Sequence, residues 1–141
     1  MEKTGTFEGD LQMGPSGTAQ VVELGVPAEK PAETDASLDW YCIRCLRGVA
    51  RDRDRIFREG KSEFVFRNPE GHKFHILLFA DCPGGRTAGI PTTLHTWFPG
   101  YAWCYCLCRG CGLQLGWWYE GEGRFAGLIR SRIVNAAQWR N

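Results

Sequence analysis

The chain has 141 residues, 43% of them hydrophobic and 13% aromatic, with a formal net charge of +1. That length suits one domain with room for a tail, and so mild a charge does not by itself imply a nucleic-acid partner. No segment approaches the roughly 18 consecutive apolar residues of a membrane span, and Met1–Asp10 is polar with three acidic residues, so neither a membrane span nor a signal leader is expected and the expected compartment is the cytoplasm.

The charge is unevenly spread. Residues 1–38 hold two Lys against seven Asp or Glu, and residues 39–141 hold fifteen Lys or Arg against nine. The first 38 residues are rich in Gly, Pro, Glu, Thr and Ala, and only Val21–Val26 has strand-like apolar content. The segment reads as a flexible tail, because it offers too little apolar surface to offset the entropy of ordering. The folded part is expected over residues 39–141.

The composition changes at Leu38-Asp39-Trp40-Tyr41, and Cys42-Ile43-Arg44-Cys45 follows at once. A second pair, Cys108-Arg109-Gly110-Cys111, comes much later. Each CxxC turn lets two sulfurs reach one ion, and four thiolates make the closed tetrahedral shell of a structural zinc site. The total of seven cysteines is odd, and four of them sit in CxxC pairs, which favours metal over disulfides. A closed shell leaves no position for water, so Zn2+ is expected to be structural, not catalytic. Cys82, Cys104 and Cys106 read as core or loop thiols.

Between the pairs, Arg51–Glu59 alternates charge over its first half and reads as a solvated turn or short helix. From Glu63 onward the pattern is β. Phe64–Phe66 ends at Asn68-Pro-Glu-Gly71, a turn sequence, and His72–Ala80 reads as a buried strand. Asp81–Gly85 is expected as a loop. Leu94–Trp97, Ala102–Leu107 and Leu113–Tyr119 are expected as short strands, and Arg124–Ala137 as a strand passing into a helix. The expectation is a mainly β domain of small antiparallel sheets joined at a zinc site.

The second CxxC pair lies within an aromatic run. If zinc holds the sheet there, Trp97, Trp103 and Trp117 can converge on one pocket from two neighbouring strands. Flat π faces suit a cation or a small ring, although buried aromatics more often serve packing. Trp118, between two positions of one face, is expected on the other.

The run His95-Thr-Trp97-Phe-Pro-Gly-Tyr-Ala-Trp103, then Cys108-x-x-Cys111, Gly116-Trp117-x-Tyr119 and Phe125-Ala-Gly127-Leu128, closely resembles the CULT family, the thalidomide-binding domain of cereblon. Cys42-x-x-Cys45 and Asn68-Pro-x-Gly71 also match, so the resemblance spans about residues 40–134. It implies a β-tent fold, two antiparallel sheets meeting at an angle with a four-cysteine zinc site at the joined edge. It further implies that Trp97, Trp103 and Trp117 form an aromatic cage and that Tyr119 closes it. Asn68 would lie on the loop beside the cage, and His95 would meet the ligand's imide group together with the backbone at 95 and 97. The family's ligands are glutarimides of the thalidomide class, uracil-type pyrimidines and C-terminal cyclic imides on modified proteins. Full-length cereblon also has a Lon-like domain and a helical region that docks a ubiquitin ligase adaptor. The preceding 38 residues are too short and polar for either, so that partner is not expected here, nor is nucleic acid; a monomer is the default.

Two other functions fit parts of this pattern. A B-type methionine sulfoxide reductase also carries two zinc CxxC pairs, but it needs a nucleophilic cysteine in its last strand, and Leu128–Asn135 has none. A nucleic-acid or protein-interaction module would use the same aromatics in an open groove, with steep salt dependence. No base–nucleophile pair is evident, so an enzyme is not expected.

Overall fold

The computed structural model describes residues 38–137; the expected tail, with its Val21–Val26 stretch, lies outside them. Among the described residues, nine strands form two antiparallel sheets. In chain order the strands are β1 (Trp40–Cys42), β2 (Gly48–Ala50), β3 (Glu63–Arg67), β4 (Lys73–Phe79), β5 (Gly85–Thr92), β6 (Ala102–Cys108), β7 (Gln114–Gly121), β8 (Gly123–Ile129) and β9 (Ile133–Asn135). The smaller sheet has the order β9-β1-β2, and the larger β3-β4-β8-β7-β6-β5. Single 3-10 turns at Asp52–Asp54 and Arg130–Arg132 carry the chain between the sheets. This is the mainly β, two-sheet architecture expected, with a four-cysteine cluster between the sheets.

Two turns show how local chemistry sets the register. At Asn68-Pro-Glu-Gly71 the Gly71 N–H donates to the Asn68 carbonyl, and the Asn68 N–H to the His72 carbonyl. Proline suits the second position of such a turn, and Gly71 has a left-handed φ of 89°. At Phe98-Pro-Gly100-Tyr101 the Tyr101 N–H donates to the Phe98 carbonyl, with Gly100 at φ 91°.

Antiparallel partners present their side chains to the same side of a sheet. The pairs Trp103 with Tyr119, Tyr105 with Trp117 and Tyr119 with Phe125 therefore share one face of the larger sheet. There they pack with Ile76, Leu78 and Phe98. The opposite face carries Leu77, Phe79, Cys104, Cys106, Trp118 and Leu128, which pack with Trp40, Val49 and Ala50 of the smaller sheet. Trp118 is on this second face, as the alternation required, with the Arg124 guanidinium 3.8 Å from its ring centroid.

Two expectations differ from the structure. Leu94–Trp97 is a turn, and the strand in this region is Gly85–Thr92. The Thr96 N–H donates to the Thr93 carbonyl and the Thr92 hydroxyl accepts from Leu94, which winds the chain tightly. Gly85–Thr92 lacks an alternating apolar signal because it is an edge strand, with Ile90 88% exposed and a register irregularity between Ala88 and Thr92. The expected strand-to-helix segment is broken into β8, the Arg130–Arg132 turn and β9, and among the described residues of that segment only Ala136 and Ala137 are α-helical. The chain changes sheets at this break, β8 lying in the larger sheet and β9 in the smaller.

Candidate metal centre and aromatic face

The four CxxC sulfurs lie within 4.8 Å of one another. Cys42 and Cys111 Sγ are 3.7 Å apart, and Cys45 and Cys108 Sγ 3.6 Å. Around a tetrahedral ion with bonds of about 2.3 Å, sulfurs stand about 3.8 Å apart, so the cluster has the size of a four-thiolate shell and could bind a metal ion such as zinc.

The two turns are built alike. Leu46 N–H donates to the Cys42 carbonyl, and Gly112 N–H to the Cys108 carbonyl. Cys42 N–H donates to Arg47 O at 2.9 Å and Cys108 N–H to Leu113 O at 2.7 Å. The residue after each second cysteine is left-handed, Leu46 at φ 63° and Gly112 at φ 82°. Glycine is the ordinary occupant of that conformation. The first turn imposes it on a leucine.

Burial divides the sulfurs. It pushes the Cys42 and Cys108 thiols up, against backbone hydrogen bonds from Cys45 and Arg44 in the first case and from Cys111 and Gly110 in the second. At Cys111 burial also opposes ionisation, but hydrogen bonding from the Leu113 backbone and from Cys42, Arg44 and Cys45 outweighs it and brings the thiol down to about 7. Outside the cluster, Cys106 and Cys82 Sγ are 4.0 Å apart in the core, and burial raises the Cys104 thiol to about 11.

The aromatic face is nearer the far end of β6 and β7. The Trp97 and Trp117 rings meet edge to face, with centroids 5.0 Å apart. Trp117 is 8% exposed, and Trp97 and Trp103 are half-buried. Trp97 comes from the loop after the 93–96 turn, not from a strand, so the three indoles derive from one loop and two strands. Its Nε1–H donates to Arg67 O at 3.1 Å, and the Trp103 Nε1–H to Leu94 O at 2.8 Å. With both N–H groups engaged by the protein, these two indoles are fixed in orientation, and Phe66 stacks on one face of Trp97.

Asn68 stands beside Arg67, and its Oδ1 accepts from the Glu70 and His72 N–H groups. The group it can turn to a ligand is therefore the amide NH2. His95 is exposed at the third position of the 93–96 turn, with a left-handed φ of 59°. Tyr119 is only 2% exposed and packs on Phe98 and Phe125, at 4.8 and 5.2 Å between centroids. It lies beside Trp103 and Trp117 on the same face but beneath Phe98, away from the surface, and burial raises its phenol well above the usual range.

Phe66 and Phe74 belong to this face and were not singled out from sequence. Phe66 stacks on Trp97 at 4.9 Å, and Phe74 contacts both Trp97 and Trp117, at 6.1 and 5.3 Å. The signal was strand alternation: Phe74 is in step with Ile76 and Leu78, which lie on the face of Trp117.

A four-cysteine centre joining two sheets, with an indole-rich face on the larger one, defines the class of domain. No family model matches the chain. Cereblon of Danio rerio is 37% identical over 76 residues, covering 50% of this chain, and that of Gallus gallus is 36% identical over 76 residues, also covering 50%. Cereblon of Drosophila erecta is 30% identical over 95 residues, covering 64% of this chain. The chain carries a cereblon-like domain. These matches span 16 to 18% of the relatives' own length.

Proposed function

We propose that residues 39–141 form a zinc-stabilised binding module that captures cyclic imide or uracil-type rings on the face made by Trp97, Trp103 and Trp117. The observation that carries this reading is the edge-to-face pair of Trp97 and Trp117 with the Trp97 and Trp103 indole N–H groups tied to protein carbonyls. Rings so fixed lose little freedom when a small ring packs against them, which lowers the cost of binding. An imide has one N–H between two carbonyls. The backbone at His95 and Trp97, the His95 side chain and the Asn68 amide supply donors and acceptors of the kind that edge needs. Full pairing of a buried polar edge discriminates against rings that lack it. Tyr119, buried beside Trp103 and Trp117 on the same face, supports the indoles by packing.

Cys42, Cys45, Cys108 and Cys111 would hold Zn2+. Bound there, the ion supplies structural cross-linking and no open coordination position. The reading is of a binding protein and not an enzyme, with a small molecule or a modified protein C-terminus as its partner.

The test is a titration of the zinc-loaded protein with glutarimide, uridine and a peptide ending in a cyclic imide, followed by tryptophan fluorescence. Saturable quenching that disappears in Trp97→Ala is expected. No response to any of the three would overturn the reading, and an affinity that collapses with added salt would favour a polyanion instead.

A further inference from the structure

The two cysteine turns share a backbone plan but not their side chains. The first has Arg44 between its cysteines and Arg47 two residues past the second. The equivalent positions of the second turn are Gly110 and Leu113. Both arginines are exposed, and both lean on the opposite turn. Arg44 Nη2 donates to the carbonyl of Cys111 at 2.8 Å. The Arg47 stem lies where a side chain at position 110 would be: a Cβ on Gly110 would overlap Arg47 Cδ and stand 3.2 Å from Cys45 Sγ. A glycine at 110 is therefore what admits Arg47. Its φ is not in the left-handed range, so backbone conformation does not require it.

We propose that Arg44 and Arg47 are a clamp across the metal centre, positioning residues by which the first cysteine turn holds the second. The two half-sites come from segments 63 residues apart, measured from Cys45 to Cys108. A metal ion leaves such a site when one half swings away. A charge-assisted hydrogen bond to the carbonyl of Cys111, and a guanidinium stem laid over Gly110, oppose that motion. Their charge also suits the place, because a divalent ion with four thiolates carries a net charge of −2. Cys45 and Cys111, the two half-exposed sulfurs, are the ones beside these arginines. The arginines thus guard the side from which a chelator approaches.

The inference rests on the zinc reading above. The experiment measures metal content of the purified 141-residue chain by mass spectrometry, and then the rate of zinc transfer to a chromogenic chelator. Arg44→Ala and Arg47→Ala should each release zinc about three- to tenfold faster than the unaltered protein. Gly110→Ala should reproduce Arg47→Ala by displacing the stem, and combining Gly110→Ala with Arg47→Ala should add little. Arg44→Lys, which keeps the charge, should recover part of the loss. Near-ultraviolet circular dichroism shows whether each variant is folded before release begins, and Arg47→Lys replaces Arg47→Ala if that variant is not. Zinc-loaded, folded variants that all release metal at the original rate would overturn the clamp alone. So would an effect of Gly110→Ala that persists in full without Arg47. A wild-type chain that binds no zinc would overturn the metal reading, and the clamp with it.

Discussion

Single residues at the aromatic face separate contact from support. Trp97 has its ring between Phe66 and Trp117 and its N–H on Arg67 O. Trp97→Phe keeps an apolar ring but loses the hydrogen bond, so it should bind glutarimide more weakly while melting within a few degrees of the original protein. Phe74 touches two indoles and is only half-buried. Phe74→Ala should weaken ligand binding by about tenfold, since each lost aromatic pair is worth roughly 0.5–1.5 kcal/mol, and isothermal titration would show it. An unchanged affinity would place Phe74 outside the site. Gly116 is a different case. A Cβ there would run into the Gly127 carbonyl, a backbone atom that cannot move aside. Gly116→Ala should destabilise the protein by about 1–3 kcal/mol, read as a lower urea midpoint. The tryptophans, His95 and Asn68 were all legible in the sequence as candidates. Phe66 and Phe74 were not, because their role depends on which way their strands face.

At the scale of elements, the strands of the larger sheet were readable wherever they were buried. Lys73–Phe79 and Gln114–Gly121 carry continuous apolar runs and form where those runs lie. The edge strand Gly85–Thr92 was missed for the opposite reason: half of its residues face solvent and its middle is Gly-Ile-Pro. The adjoining turn resembles a strand in sequence because Leu94 and Trp97 are apolar, yet Leu94 is 63% exposed and serves by its carbonyl. His95 holds a left-handed φ in that turn. His95→Val should therefore strain the turn and shift the Trp103 signal in fluorescence or indole NMR, whereas His95→Asn, a residue that tolerates this conformation, should leave the turn intact. Identical indole N–H shifts in both variants would show that the turn does not depend on this residue.

Over the whole molecule, the cysteine centre is the only cross-sheet tie of its kind among the described residues. Zinc in such sites contributes on the order of 10 kcal/mol to folding, comparable to the entire stability of a small domain. Removing it with a strong chelator should abolish the near-ultraviolet tryptophan signal and imide binding together, and adding zinc should restore both. Retention of binding without metal would show that the aromatic face is held by packing alone. The buried thiols provide an independent check. Cys82, Cys104 and Cys106 are at most 3% exposed. Alkylation of the native zinc-loaded protein, mapped by mass spectrometry, should leave these three unmodified until denaturant is added. Among the described residues no helix is long and apolar enough to cross a membrane.

Cysteine spacing, turn chemistry and buried apolar runs are properties of neighbouring residues, so the linear chain was enough to announce a four-cysteine β domain with its tryptophans as candidates. Which face each tryptophan occupies, that Tyr119 is buried beneath Phe98, and that Arg44 and Arg47 cross to the second cysteine turn were decided only by the folded chain. Those relations join segments dozens of residues apart, and their geometry comes from strand register and from the space that Gly110, Gly116 and their neighbours leave open. No local pattern encodes a distance between residues that meet only after the sheets have formed.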